Sequence, residues 1–334
     1  MSILLACSFD DAEWRTWPPC LEAALPGQSW HRADQAAPLS DAERAAVDIA
    51  IVANPRPGQL TGYPNLRLIQ SLWAGVDRLL DDPTLPAEVP LLRMVDPAMS
   101  AAMAETALWA VLSLHRGFFT YARQQAERRW VQHDQRRADE VHVLVAGQGE
   151  LGCTVAARLV GQGYRVSGWS RTGRVPACQP AALPWLQHSG ADAWPALAAQ
   201  ADIVVNLLPL TAATRGYFDA GRFAGFKRGA GFVNLARGAA VDDEALLAAL
   251  DAGHLGHAVL DVFRREPLDP AHRYWHHPAV TVLPHVAALT DARSAAGIAA
   301  ANVRALQALA PGDRSADQAL VAGLRGWVDR QRGY

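Results

Sequence analysis

Arg237, Glu266 and His285 each lie a few residues after an apolar run that is typical of a buried strand. Ligands of a parallel α/β sheet bind outside the carboxyl ends of its strands, so we expect the three side chains to converge there. An arginine binds a carboxylate through two parallel hydrogen bonds, and an imidazolium donates a proton to an oxygen that becomes negative. A neighbouring carboxylate keeps a histidine protonated near neutral pH. The set predicts reduction of a 2-oxo acid by hydride transfer, with His285 as acid, Glu266 as its partner and Arg237 as the carboxylate contact.

Each of the three residues also has an ordinary structural explanation when it is taken alone. Arg237 suits a surface ion pair, Glu266 suits a pair with Arg264 or Arg265, and His285 suits a hydrogen-bonded histidine at a strand end. Their joint placement after three strands and downstream of a glycine-rich turn favours the catalytic interpretation.

A glycine-rich turn lies between the apolar run 141–146 and a helical run that begins at Cys153. In such a turn the first glycine permits the tight bend, the second lets the backbone approach a pyrophosphate, and the third allows close packing of the helix. This setting predicts a dinucleotide-binding site. Its residues are Gly147, Gln148, Gly149, Glu150, Leu151 and Gly152.

The end of the following strand carries basic and hydroxyl side chains where an NAD-selective site normally has an acid about 20 residues after the glycines. No acid occurs between Glu150 and Asp192, although several arginines do. We therefore expect Ser170, Arg171 and Thr172 to bind the 2′-phosphate of NADP(H), with the guanidinium making a charge-assisted contact. A solvated basic turn is the alternative.

Apolar runs that alternate with amphipathic segments predict an α/β protein with parallel sheets. One long helix is expected over 99–125 and another over 291–309, before a tail without a clear pattern that we expect to rejoin the first domain. The expected strands are 3–7, 49–53 and 66–69 in a first sheet, then 141–146, 165–169, 203–207, 231–235, 258–262 and 280–283 in a doubly wound unit.

Length, charge and cysteine spacing restrict the class of protein. At roughly 150 residues per domain, 334 residues suggest two domains. A formal charge of −2 gives no electrostatic footprint for nucleic acid or a membrane surface, which favours a small-molecule partner. Four cysteines without paired spacing indicate reduced thiols, a cytoplasmic location and no metal site. Neither a targeting segment nor a membrane helix is expected.

The sequence resembles the D-2-hydroxyacid dehydrogenases, and most of all their glyoxylate/hydroxypyruvate reductase A branch. The similarity covers nearly the whole chain, and the order Arg, Glu, His is specific, since L-lactate and malate dehydrogenases carry their catalytic groups in another order. Apart from the glycine turn and the three catalytic segments, the matching stretches are 72–77, 103–105, 169–172, 206–211 and 328–334.

The resemblance implies two Rossmann-like, doubly wound parallel-sheet domains, with the cofactor domain inserted into a discontinuous substrate domain. The expected boundaries are 1–98 and 287–334 for the substrate (catalytic) domain and 99–286 for the dinucleotide-binding domain, including the bridging helix. It also implies a homodimer formed through the cofactor domains. NADP(H) is the expected cofactor, with NAD(H) as a possible one.

The resemblance also implies roles for individual residues. Backbone amides around Trp73, Ala74, Gly75 and Val76 would bind the substrate carboxylate together with Arg237, and Gly75 allows close approach; a plain strand-to-helix turn is the alternative. Asp261 would hold the nicotinamide carboxamide. The expected lining of the nicotinamide pocket is Leu208, Pro209, Ala236 and the backbone of Arg237.

Two departures from the family pattern leave the substrate open. Ala53-Asn54-Pro55 stands where relatives have an aromatic residue, so a wider or differently shaped pocket is expected, and 174–191 matches no family landmark. The favoured function is NADPH-dependent reduction of glyoxylate to glycolate and of hydroxypyruvate to D-glycerate. The alternatives are an NAD-dependent dehydrogenase of another D-2-hydroxy acid or of phosphite, and a non-catalytic, corepressor-like NAD(P)H sensor on the same scaffold.

Overall fold

The computed structural model describes residues 2–34, 38–173, 184–309 and 313–334. The chain divides into two compact units, which we call unit 1 (1–98 and 290–334) and unit 2 (99–289). The chain passes from unit 1 to unit 2 after residue 98 and returns to unit 1 between Leu289 and Thr290. Most of the stretch 174–191, for which the sequence predicts no role, lies outside the described residues.

The described residues form twelve strands and eleven α-helices. The strands are β1 (Ser2–Cys7), β2 (Ser29–Arg32), β3 (Val47–Ala53), β4 (Leu68–Ser71), β5 (Leu91–Leu92), β6 (His142–Ala146), β7 (Arg165–Ser170), β8 (Leu186–Ser189), β9 (Ile203–Asn206), β10 (Ala230–Asn234), β11 (Leu255–Leu260) and β12 (Val280–Val282). The helices are α1 (Asp11–Ala24), α2 (Asp41–Ala46), α3 (Asp77–Leu80), α4 (Pro97–His115), α5 (Phe118–Ala126), α6 (Glu150–Gly161), α7 (Trp194–Gln200), α8 (Ala220–Ala224), α9 (Asp243–Asp251), α10 (Ala292–Gln307) and α11 (Arg314–Gly323).

Unit 1 contains a parallel sheet in the order β2-β1-β3-β4-β5, which is one of the two common doubly wound orders. The C-terminal tail belongs to this unit, and it forms α11 where no element was predicted. The amide of Val328 donates to the carbonyl of Leu91 at 3.0 Å. Arg67, directly before β4, forms a buried ion pair with Asp317 of α11, with Nε to Oδ2 at 2.7 Å.

Unit 2 contains a seven-stranded parallel sheet in the order β12-β11-β10-β9-β6-β7-β8. Its central strands β6, β9 and β10 are buried on both faces because helices cover both. Val143 and Val145 of β6 pack with α4 and α6, whereas Leu144 and Ala146 pack on the other face with α7, α8 and α9. The strand order reverses between β6 and β9, and ligands of doubly wound sheets bind at such a switch point.

Two expectations about the elements are wrong. The helix predicted over 99–125 is two helices, since α4 ends at His115 and Gly117 adopts a left-handed φ of 68° before α5. The unit 2 sheet has seven strands in place of six. The seventh is the edge strand β8, whose sequence Leu-Gln-His-Ser lacks an apolar run because it is partly solvated.

Helix α4 is the one helix in the described ranges that is long and apolar enough to cross a membrane by length and composition. Its residues Met103, Ala107 and Val111 pack in the core of unit 2. Burial in this core therefore explains part of its apolar character.

Candidate active site

The three candidate catalytic residues follow three strands that are neighbours in the unit 2 sheet. Arg237 follows β10, Glu266 follows β11 and His285 follows β12. Parallel strands present their carboxyl ends at one edge, so the loops that carry these residues are adjacent. Arg237 acts electrostatically on both other side chains. The structure thus brings together the three residues that the sequence singled out.

His285 and Glu266 form a hydrogen-bonded pair. Nδ1 of His285 lies 2.7 Å from Oε2 of Glu266, and the other carboxylate oxygen accepts the amide of Phe263 at 2.9 Å. The bond to Glu266 raises the pKa of His285 despite partial burial. Burial opposes ionisation of Glu266, but its bonds to His285 and Phe263 outweigh burial and lower the pKa of the carboxyl. The imidazole is therefore held with Nε2 opposite its acidic partner and with its charged form stabilised.

The turn that carries His285 is held by Asp261, the residue directly after β11. His285 has a left-handed φ of 55°, and its amide donates to the Asp261 carbonyl at 2.9 Å. The buried Asp261 carboxylate accepts the amides of Val286 at 2.7 Å and Ala287 at 3.2 Å. Burial raises the pKa of this carboxyl. Asp261 therefore positions His285, a role that sequence analysis missed, while its predicted contact with a carboxamide stays a prediction.

A buried pair of asparagines ends β9 and β10. Nδ2 of Asn206 donates to Oδ1 of Asn234 at 3.0 Å, and Nδ2 of Asn234 donates to the carbonyl of Arg237 at 3.1 Å. The same two side chains accept the amides of Leu208 and Ala236 at 3.1 and 3.2 Å. The pair thus shapes both predicted nicotinamide loops. The signal that indicates such residues is a polar amide at the end of an otherwise apolar strand.

The loop of Arg237 lies directly against the loop of Glu266. A Cβ atom on Gly238 would overlap the backbone of Phe263, so only glycine permits this approach. Nη1 of Arg237 donates to the carbonyl of Ala236 at 2.8 Å, which orients part of the guanidinium.

The glycine turn has the shape that a dinucleotide pyrophosphate requires. Cβ atoms on Gly147 and Gly152 would collide with the carbonyls of Leu207 and Gly147, so both positions need glycine for packing. A Cβ on Gly149 would meet nothing within 4 Å, and Gly149 is the N-cap of α6, where backbone amides and the helix dipole attract anions. The site therefore fits the cofactor, with open space at the second glycine.

Gln148 and the turn after β7 are two further parts of the predicted cofactor site. The side chain of Gln148 is 2% exposed and turned into the protein, so the predicted contact is restricted to its backbone. The turn after β7 is exposed at Arg171 and Thr172, and Oγ of Ser170 accepts the amide of Gly173 at 3.0 Å. Within the part of the chain that the structure describes, Arg171 forms no ion pair.

The predicted carboxylate-binding segment 73–76 connects β4 to α3 in unit 1. The amide of Trp73 donates to Oγ of Ser71 at 3.1 Å, and its carbonyl accepts the amide of Met94 at 3.0 Å. The indole packs edge-on against Trp17 at 5.5 Å. Trp73 thus holds the segment in place, while the roles predicted for Ala74, Gly75 and Val76 stay predictions.

Comparison with known proteins identifies the family of the chain. The sequence model of the D-isomer specific 2-hydroxyacid dehydrogenase NAD-binding domain matches residues 108–287, more than half of the chain. The chain belongs to the D-isomer specific 2-hydroxyacid dehydrogenase family. The resemblance and the two-domain α/β fold predicted from the sequence are confirmed. The prediction that the protein is an NAD(P)-dependent oxidoreductase is confirmed as well.

Relatives of known name are similar over almost their full length. Glyoxylate/hydroxypyruvate reductase A of Serratia proteamaculans is 38% identical, over 92% of this chain and 96% of the relative. A family member from Xanthobacter autotrophicus Py2, solved with NADPH and MES, has 37% identity and a TM-score of 0.87, with 100% and 99% of the two chains covered. The NADPH-dependent glyoxylate/hydroxypyruvate reductase of Sinorhizobium meliloti, solved with NADP and sulfate, has 32% identity and a TM-score of 0.85, with the same coverage.

Proposed function

We propose that the protein reduces small 2-oxo acids with NADPH, glyoxylate and hydroxypyruvate first. The observation that carries the proposal is the His285–Glu266 pair in the loops beside Arg237, at the ends of three neighbouring strands. It supplies a proton donor and a carboxylate contact at one edge of the sheet. The Serratia and Sinorhizobium relatives, which are named as reductases of these two acids, support the choice of substrate.

Arg237, His285 and Glu266 have separate roles in the proposed reaction. Arg237 binds the substrate carboxylate. The backbone amides of 73–76 are the other groups proposed to bind this carboxylate. His285, protonated at Nε2, donates its proton to the carbonyl oxygen as that oxygen becomes an alkoxide. Glu266 stabilises the imidazolium and fixes its orientation. When bound, the reduced nicotinamide supplies the hydride that the carbonyl carbon accepts.

Each part of the proposed cofactor site has residues of suitable chemistry. The amides at Gly149 and the start of α6 bind the pyrophosphate. Ser170, Arg171 and Thr172 bind the 2′-phosphate. Leu208, Pro209 and Ala236 line the nicotinamide pocket, and Asp261 holds its carboxamide. NADPH and NADP in the solved Xanthobacter and Sinorhizobium proteins support a preference for the phosphorylated cofactor.

A homodimer formed through unit 2 and a cytoplasmic location are part of the same proposal. Trp130 is 94% exposed and is followed by the exposed Val131, so a second copy would remove apolar surface from water there. The thiols of Cys7 and Cys20 are free, as a reducing compartment would keep them.

The test of the reaction is the consumption of NADPH and NADH by purified protein, with glyoxylate, hydroxypyruvate, pyruvate and a bulkier 2-oxo acid. Turnover of the two small acids with NADPH is expected. NADPH binding without turnover of any of these acids would contradict the proposal and favour either another hydroxy-acid substrate or a sensor.

The Glu266→Gln variant is expected to change the pH dependence of the reaction. The bond to Glu266 raises the pKa of His285, so the imidazolium persists to higher pH, and reduction falls as the pH rises through that pKa. Without the charged partner, the alkaline fall of kcat/KM for glyoxylate should move down by about one pH unit. Rates measured between pH 5.5 and 9.5 check this. The matched control is Asp251→Asn, a charge change on the surface of unit 2, and an unchanged profile in the Glu266 variant would refute the pairing.

The Arg171→Asp variant is expected to raise KM for NADPH by about ten-fold or more, because a charge-assisted hydrogen bond is replaced by repulsion. KM for NADH should change little, since NADH has no 2′-phosphate. Steady-state kinetics with both cofactors measure the difference. Arg165→Asp, at the opposite end of β7, is the matched control. Equal effects of Arg171→Asp on the two cofactors would remove Arg171 from the phosphate site.

A further inference from the structure

Gln148, the second residue of the glycine turn, makes side-chain hydrogen bonds in two directions. Its Nε2 donates to the carbonyls of Val145 at 3.1 Å and Gly147 at 3.3 Å. Its Oε1 accepts from Nε1 of Trp185 at 3.0 Å and from Nε2 of Gln187 at 2.6 Å. The donors and the carbonyl of this amide are thus all used inside the protein, and they join the glycine turn to the strand β8 and the residues before it.

The space for this amide exists because β7 has a glycine at the facing position. A Cβ on Gly168 would overlap the side-chain amide of Gln148. Gly168 pairs with Gln187 in the sheet, so Gln148 reaches across β7 to its neighbour β8. Oε1 of Gln187 is buried and has no partner among the described residues, so Gln148 supplies the hydrogen bond that fixes this side chain.

The other end of β8 holds the basic turn that follows β7. The amide of Gly190 donates to the carbonyls of Ser170 and Arg171 at 3.3 and 3.2 Å. The carbonyl of Gly190 accepts Nε1 of Trp169 at 2.9 Å. Gly173, with a left-handed φ of 71°, lies so close to Ser189 that an added Cβ would be 3.1 Å from its Oγ. The position of Arg171 therefore depends on where β8 lies.

From these contacts we propose that Gln148 is a positioning residue that sets the preference for NADPH over NADH. It fixes the start of β8 relative to the glycine turn, and the end of β8 fixes the turn 170–173. The pyrophosphate of either cofactor meets the glycine turn, whereas only the 2′-phosphate of NADPH meets Arg171. A shift of β8 therefore weakens NADPH selectively. The inference rests on the proposed role of Arg171 and adds the residue that holds it.

The test is direct binding of NADPH and of NADH by calorimetry to Gln148→Met, Trp185→Phe and the double variant. Methionine keeps the length of the side chain but removes the acceptor for Trp185 and Gln187, and also the donor to the carbonyls of Val145 and Gly147. Gln148→Met should weaken NADPH binding by about ten-fold and NADH binding by less than about two-fold. The double variant should be no worse than the poorer single variant, because the two residues share one interaction.

The indole N–H resonance of Trp185, assigned by its loss in Trp185→Phe, should shift in Gln148→Met. Leu159→Ala, which removes buried volume from α6 without touching this network, is the control for general loosening. Should Gln148→Met fail to fold, Gln187→Met makes the same test, because it removes the β8 partner of the 2.6 Å bond and leaves the contacts of Gln148 within the glycine turn intact.

Equal weakening of both cofactors, or the same selectivity change in Leu159→Ala, would overturn the inference. Wild-type protein that binds NADPH and NADH equally would overturn the NADPH preference and the inference with it. If the wild-type protein prefers NADPH to NADH and Gln148→Met keeps that preference, the inference about Gln148 is overturned and the NADPH preference stands.

Discussion

Replacement of His285 by alanine is expected to lower kcat for glyoxylate reduction by about 10²- to 10⁴-fold, the usual contribution of a positioned general acid. The expectation follows from the 2.7 Å bond to Glu266, which stabilises the charged imidazole and leaves Nε2 for the substrate. NADPH binding should remain near the wild-type value, since the glycine turn and the turn after β7 are untouched. Single-turnover kinetics at saturating glyoxylate, with NADPH affinity measured separately, check both statements.

The exposed His276 provides the control for this variant, because His276→Ala removes an imidazole from the same unit in the segment before β12, whereas His285 follows β12. It should retain wild-type kcat. The alkaline fall in activity that we attribute to His285 should also disappear from the residual activity of His285→Ala. Activity within a few-fold of wild type in His285→Ala would leave the reaction without its proposed acid.

Replacement of Arg237 by lysine is expected to lower kcat/KM for glyoxylate by about 100-fold, with most of the loss in KM. Lysine keeps the positive charge but loses the planar fork that binds a carboxylate through two hydrogen bonds. Loss of a hydrogen bond to a charged group costs about 1.5–3 kcal/mol, which corresponds to a factor of ten to about a hundred. Initial rates over a wide range of glyoxylate concentration measure the effect.

Arg273→Lys is the matched control, because Arg273 pairs with Asp251 on the surface of unit 2. It should leave KM unchanged. Arg237→Lys should also leave NADPH affinity unchanged. A variant that loses NADPH binding in place of glyoxylate binding would reassign Arg237 to the cofactor.

The buried strands were predictable because a parallel sheet covered on both faces requires continuous apolar runs, and β6, β9 and β10 have them. The edge strands β2 and β8 were not, since each is partly solvated and contains polar residues. The division into α4 and α5 depends on the left-handed Gly117, and one glycine in an apolar helical pattern does not reveal its φ.

The grouping of the three candidate catalytic residues was predictable, because parallel strands end at one edge and Arg237, Glu266 and His285 follow neighbouring strands. The groups that hold them were not. The carboxylate of Asp261 accepts amides that follow the neighbouring strand β12. The side chain of Asn234 donates to the carbonyl of Arg237, three residues later in the chain. Such contacts depend on strand register and loop conformation, which residue types alone do not specify.

The buried pair of Arg67 and Asp317 has a consequence for the order in which the chain folds during synthesis. The two partners are 250 residues apart, and unit 2 lies between them as one continuous stretch. Chains fold domain by domain as they leave the ribosome, and a buried charge without its partner is strongly destabilising. We expect unit 2 to fold first. The N-terminal part of unit 1 should fold only after Asp317, whose carboxylate neutralises Arg67, has been synthesised. Nascent chains that stop before α11 would then carry a folded nucleotide-binding unit attached to an unfinished N-terminal one.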